Sequence, residues 1–417
     1  MKFVAALVLM AMPLTAAAQE SALPALRASH DPGAPVALAR ALRRAGHFVE
    51  AARAAATARD VAGRWELARV RLDEGAFRPA QAACNALPPG RDRHVCLARA
   101  YLVWHRVALA DRELTTARGM GAPDGELDLA EADARRMAAE LAPAETAYRA
   151  ASQAMPNRPE PFVGLGEIAE AAGRVPDAEA AYRSAVAADP TDPISALALG
   201  RFLLRRRNDV AAALPLLRRA NDDRPGWPEA LTVLGDALVA SGDGAAARAA
   251  FEHAVQGSGT QPGAQAGLGR AMLLQQQWAE AEAPFRRAMQ QVGTDASAYA
   301  GLAEVLEHTH REPDAMQAWD AAIDRAPADR TYRLRAAELA HRTQQNALAR
   351  AYLDRVLSDA PGETAALVLR GIILAEDGDR PAAREAFNAA LATAPATERA
   401  AIEQRLHDLD QPARRRH

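Results

Sequence analysis

The chain has 417 residues, of which 49% are hydrophobic and 25% charged, and its formal net charge is −3. A balance this close to zero supplies no basic field for nucleic acid. Arginine carries nearly all the positive charge and Lys2 is the only lysine. A globular chain of this length divides into domains, unless its core grows by repetition.

The first 18 residues, MKFVAALVLMAMPLTAAA, combine a minimal positive end, an apolar stretch and small residues at 16 and 18. This is the pattern of a secretory signal peptide cleaved after Ala18. No cysteine follows the cleavage site, and no later segment is apolar enough to span a bilayer. The mature chain is therefore expected in the periplasm or outside the cell, with no membrane insertion after signal cleavage. Residues 19–34, rich in Pro, Gly, Ser and Asp, read as a linker.

Residues 35–158 read as degenerate helical repeats. Weak hairpins break at Gly46 and Gly75, with Pro79 opening a second helix. Cys84 falls late in one predicted helix and Cys96 early in the next, on either side of PPGRDR at 88–93. They should stand at similar heights on antiparallel neighbours, within disulfide reach, and an oxidising compartment favours the bond; the alternative is two buried thiols. Residues 93–120 read as helix with a bend near Trp104, and 126–155 as a degenerate repeat, either a hairpin or two helices fused or kinked at Pro143. The register supports a repeat there, since Ala132 lies 34 residues before Gly166.

From 159 onward the period is regular. Small residues recur at Gly166, Gly200, Gly235, Gly269, Ala303, Ala337 and Gly371, in steps of 34 or 35. Twelve residues beyond most of them lies an alanine (Ala178, Ala247, Ala281, Ala315, Ala349, Ala383), and four beyond that a large apolar residue such as Tyr182, Phe285 or Phe387. Gly173, Gly242 and Gly378 stand where a first helix should stop. Pro176, Pro313 and Pro381 stand where a second should start. Pro215 and Pro284 fall inside predicted second helices, where a kink or shifted start is expected. The extra residue near Asn208–Val210 is expected in an inter-helix turn.

This pattern resembles the tetratricopeptide repeat, W-x2-L-G-x2-Y followed by A-x3-F and a closing proline. The resemblance implies an all-α solenoid of helical hairpins wound as a right-handed superhelix. Seven units would occupy 159–395, a charged capping helix 396–410 and a basic tail 411–417.

No catalytic, cofactor-binding or metal-ligating motif stands out. The glycines of GLGEIA and GLGRAM sit at the close-packing position of the repeat, and His308 and His310 point apart on a helix. The repeat family binds partners on the groove lined by first helices. The position after the small residue, which tends to face that groove, holds Glu167, Arg201, Asp236, Arg270, Glu304 and Glu338. These charges of mixed sign either pair with stacked neighbours or present a polar track to a peptide. The family's lysine-based carboxylate clamp is not matched. The reading is a non-enzymatic periplasmic scaffold for a protein or peptide partner, with homo-oligomerisation open and no nucleic-acid role. The alternative is a subunit of an envelope polysaccharide export or glycan-binding assembly, with Trp227 and Trp278 as candidate sugar platforms.

Overall fold

The computed structural model describes residues 23–122, 124–291, 293 and 295–410. The signal peptide read at 1–18 and the tail read at 411–417 lie outside them. Among the described residues the chain is all-α, without a strand. It forms two compact units, with the boundary between Ser241 and Gly242.

Unit 1 contains α1 (Ala34–Arg44), α2 (Phe48–Thr57), α3 (Val61–Asp73), α4 (Phe77–Asn85), α5 (Arg91–Val103), α6 (Val107–Arg118) and α7 (Gly125–Met137). It continues through α8 (Leu141–Ala154), α9 (Pro159–Ala171), α10 (Val175–Ala188), α11 (Pro193–Phe202), α12 (Val210–Asp223) and α13 (Pro228–Ala240). Unit 2 contains α14 (Gly244–Gly257), α15 (Ala264–Leu274), α16 (Trp278–Met289), α17 (Ala296–His308) and α18 (Glu312–Arg325). After these come α19 (Arg330–Arg342), α20 (Asn346–Asp359), α21 (Thr364–Glu376), α22 (Arg380–Thr393) and α23 (Ala396–Asp410). Residues 23–28, inside the stretch read as linker, are also helical.

One device ends each first helix. The residue just past it adopts positive φ, as at Gly46, Gly75, Gly173 and Gly378, and the next N–H reaches back to close the last turn. Examples are His47 N–H to Leu42 O at 2.8 Å and Arg174 N–H to Ala169 O at 2.8 Å. Glycine takes this conformation without strain. Yet His105, Ala139, Asn208, Gln276, His310 and Gln344 occupy the same turn with φ between 52 and 62°. The backbone repeat is therefore more regular than the glycines reveal.

Close packing explains the small residues. A methyl group on Gly166 would stand 2.5 Å from Tyr182 Cε1, and one on Gly371 2.7 Å from Phe387 Cε1. In unit 2 the Phe285 ring is wedged between two helices. It lies 2.7 Å from where a Gly269 methyl would be, and a methyl on Gly301 of the next first helix would overlap it too. Phe285 is fully buried. The large apolar residue of one second helix thus docks on the glycines of two successive first helices. A lone hairpin has no such neighbour, which is why the units must stack.

Several expectations are corrected. Residues 93–120 form a helix pair, not a bent helix, and of the two readings of 126–155 the hairpin is the one observed. The chain reverses at Trp104–Arg106 and at Ala138–Glu140, the latter before Pro143 rather than at it. Pro215 and Pro284 lie within unbroken helices that begin at Val210 and Trp278, so neither marks a helix start. The added residue of the 35-residue step is absorbed in a π-helical turn, Leu203–Arg207, at the end of the first helix, ahead of the expected turn. Cys84 and Cys96 form a disulfide joining α4 to α5, with Cα atoms 5.5 Å apart. They sit in a core with Leu87, Ala100 and Leu72. The capping helix α23 packs Ile402 and Leu406 against Leu367 and Phe387.

Candidate functional site

The first helices of unit 1, α1, α3, α5, α7, α9 and α11, line a chamber of about 500 Å³. The first hairpin narrows its access. Arg44 donates to Asp189 Oδ2 at 2.8 Å and to Thr191 Oγ1 at 3.4 Å. Arg224, beyond α12, lies across the rings of Phe48 and Trp227, with its guanidinium carbon 5.1 and 4.5 Å from their centroids. The inner face of unit 1 therefore meets itself, beginning against end.

The chamber has two walls of different charge. α1, α3 and α5 contribute Arg40, Arg43, Arg44, Arg69 and Arg99 against one acid, Asp73. From Asp133 in α7 to Asp192 before α11, the other side contributes Asp133, Glu160, Glu167, Asp189 and Asp192 against Arg136 and Arg158. Behind the arginine wall, Glu66 is 1% exposed and faces Arg43 at 2.8 Å, Arg40 at 3.6 Å and Arg69 at 3.9 Å. Glu126 is shared by Arg69, Arg99 and Arg158 at 2.9–3.1 Å. One carboxylate thus serves three guanidiniums.

Electrostatics differ sharply along the acidic wall. Burial opposes the charge of Glu160, but the hydrogen bond and charge of Arg158 win and hold its carboxyl at about 2. Burial prevails at Asp133, Glu167 and Asp192, whose carboxyls are all pushed up from their ordinary values. Asp133 accepts from the Tyr148 hydroxyl at 2.7 Å, and that hydroxyl in turn accepts from Arg136 Nε at 3.0 Å. Asp192 accepts from the Ser195 N–H at 2.8 Å and caps α11. Among the described residues the lining holds no serine, cysteine, histidine or lysine, and no group of three or more His, Cys, Asp or Glu is placed to hold a metal. Guanidiniums and carboxylates around a void suit reversible binding of charged groups.

The residues singled out in the sequence each lie on the first helix of their own repeat. In unit 1, Glu167 lines the chamber and pairs with Arg136 at 3.3 Å, while Arg201 pairs with Glu229 at 3.0 Å. Asp236 lies on α13. In unit 2, Arg270 lies on α15. Burial pushes the Glu304 carboxyl up against the opposing pull of Arg335, and Glu338 pairs with that same Arg335 at 3.1 Å. Glu167, Arg201 and Glu338 thus form ion pairs with residues outside the row, while the charge of Arg201 also pulls on the Glu167 carboxyl.

The arginine wall was not recognised in the sequence, although its signal is there. Ala39, Ala68, Ala98 and Ala132 are all fully buried. The residue after each is Arg40, Arg69, Arg99 and Asp133. The row therefore continues upstream, at steps of 29 and 30 before it settles to 34. The candidate sugar platforms are already covered: Trp227 carries Arg224, and Trp278 stacks on His308 with centroids 3.6 Å apart.

Hairpins in register, with charged side chains on the inner helices, define a protein-interaction scaffold of the helical-repeat class. The tetratricopeptide repeat family model matches residues 129–193, 163–230, 197–262, 232–296, 313–364 and 334–397, over half of the chain. The chain belongs to the tetratricopeptide repeat family. No curated protein matches it at significance. Among solved structures it is similar to a monomeric mutant of IFIT1 with Gppp-AAAA (TM-score 0.50, 16% identity, 87% of this chain and 91% of that one). It is also similar to the APC/C hetero-tetramer Cut9-Hcn1 (TM-score 0.49, 12% identity, 86% and 92%). A third is a tetratricopeptide repeat protein from Parabacteroides merdae (TM-score 0.46, 18% identity, 61% and 99%). At these identities the likeness shows the fold alone. No helix among the described residues is long and apolar enough to cross a membrane.

Proposed function

We propose that this protein is a non-enzymatic scaffold of the periplasm that holds a protein or peptide partner on the face lined by its first helices. The observation that carries the reading is the in-register row of charges, from Arg40 to Glu338, on helices whose opposite faces are committed to the core. The Cys84–Cys96 disulfide accords with an oxidising compartment, as does the signal-like start of the sequence. The test is affinity capture from periplasmic extract with the mature chain, beside a variant carrying Glu304→Arg and Glu338→Arg. One partner enriched by the parent and lost by the variant is the expected result. An identical set of abundant proteins on both would overturn the reading.

A further inference from the structure

We propose that the chamber of unit 1 is a receptor for a short zwitterionic peptide, its carboxylate set against Arg40, Arg69 and Arg99 and its ammonium against Asp133 and Asp192. The inference rests on the scaffold reading in one respect, that the inner face is the binding face.

Three observations carry it. The first is the separation of sign. Arginines from α1, α3 and α5 face carboxylates contributed from α7 to the start of α11. A ligand of one sign would be attracted by one wall and repelled by the other, whereas a ligand with opposite charges at its two ends gains at both. The second is unmet bonding capacity. Arg69 and Arg99 share the Glu126 carboxylate with Arg158, which also pairs with Glu160, and Arg69, otherwise 3.9 Å from Glu66, has a buried Nε with no acceptor. Across the void, the hydrogen bonds that Asp133 and Asp192 accept come from neutral donors, the Tyr148 hydroxyl and the Ser195 N–H and hydroxyl. A guanidinium short of acceptors and a buried carboxylate without a cationic donor are each strengthened by a charge-assisted partner. The third is closure. Arg44 on Asp189 and Arg224 on Phe48 join the two ends of the inner face of unit 1. These contacts restrict access to the void, which favours a short free chain entering by its end over a segment in the middle of a folded partner. The volume, about 500 Å³, suits roughly three or four residues and falls within the range of small-ligand sites.

The probe is tetra-alanine, because its only charges are its ends. Isothermal titration at low ionic strength would compare the free peptide, its N-acetyl form, its C-terminal amide and a folded carrier protein ending in the same four alanines. The free peptide is expected to bind. Either blocked form and the carrier should bind at least about tenfold more weakly, a difference of about 1.4 kcal/mol. Arg99→Gln should cost the free peptide a similar factor, with Arg99→Lys recovering part of it. Asp133→Asn should erase the preference for the free amine over the acetylated one. Circular dichroism on each variant separates loss of binding from loss of fold. Absence of binding by free tetra-alanine, equal binding of the blocked forms or the carrier, or an unchanged affinity in folded Arg99→Gln would overturn the proposal. A protein partner captured equally by the parent and Arg99→Gln, yet lost on Glu304→Arg with Glu338→Arg, would leave the scaffold reading intact while the chamber proposal fell.

Discussion

The wedge at Phe285 gives the sharpest test of the repeat architecture. In Gly269→Ala the new methyl meets Phe285 Cζ at 2.7 Å, against the 3.4 Å or more of ordinary contact. The ring has little room to shift, since the same edge also fills the space a side chain on Gly301 would need. Overpacking of this kind costs about 1–3 kcal/mol, partly offset by about 1 kcal/mol from replacing a mid-helix glycine with alanine. A net loss of about 0–2 kcal/mol is expected. In a Phe285→Leu background the clash is relieved and only the helical gain remains, so the same Gly269→Ala change should become neutral or stabilising. The repeat at 337 shows that such a pair packs, for Ala337 and Leu353 share one core cluster. Gly259→Ala is the control, because a Cβ there meets nothing within 4 Å and the backbone is not in the left-handed region. Urea denaturation followed by far-UV circular dichroism measures the four proteins of the double-mutant cycle, which gives the coupling energy, and the Gly259→Ala control. If Gly269→Ala costs the same in both backgrounds, the glycines are not there to seat the ring and the packing argument is wrong.

Other outcomes follow from the same structure. Ala139→Gly, Gln276→Gly and Gln344→Gly should each raise stability by about 1 kcal/mol, since all three residues hold left-handed φ; a fall in the urea midpoint would refute this. Glu66→Gln should cost about 3 kcal/mol or more, because a 1%-exposed carboxylate facing Arg40, Arg43 and Arg69 is lost and the guanidiniums remain; a change under 1 kcal/mol would show that they find other partners. Reduction of the Cys84–Cys96 bond should cost about 2–3 kcal/mol, and alkylation of both thiols without reductant, read by mass, would show that the bond does not form. Glu160 is held near 2, so its contribution to stability is full above the ordinary carboxylate range and is lost as pH falls through about 2. Asp133 acts in the opposite sense, its raised carboxyl relieving strain on the fold as pH falls through its titration. Replacing Glu160 with Gln should therefore narrow the stability gap to the parent steadily on acidification, and a gap that widens toward low pH would contradict the sign.

The sequence by itself determined the all-α class, the period, the helix-terminating glycines at 173, 242 and 378 and the neighbouring cysteines, because each follows from local rules. A glycine that must take positive φ, a proline in a first turn and an apolar residue every third or fourth place are readable without knowing what packs where. It also placed the charged row at Glu167, Arg201 and Glu304. It could not show that His105 and Ala139 occupy the same turn as those glycines, because the conformation there is imposed by the stacking of the helices on either side and runs against the residues' own preference. Nor did it show the chamber. Arg44 and Asp189 are 145 residues apart in the chain, and only the curvature accumulated over the intervening hairpins of unit 1 brings them to 2.8 Å. The arginines on α1, α3 and α5 read as ordinary solvated charges one helix at a time. Their meaning depends on the carboxylates they face across the void, and that is a property of how the hairpins stack.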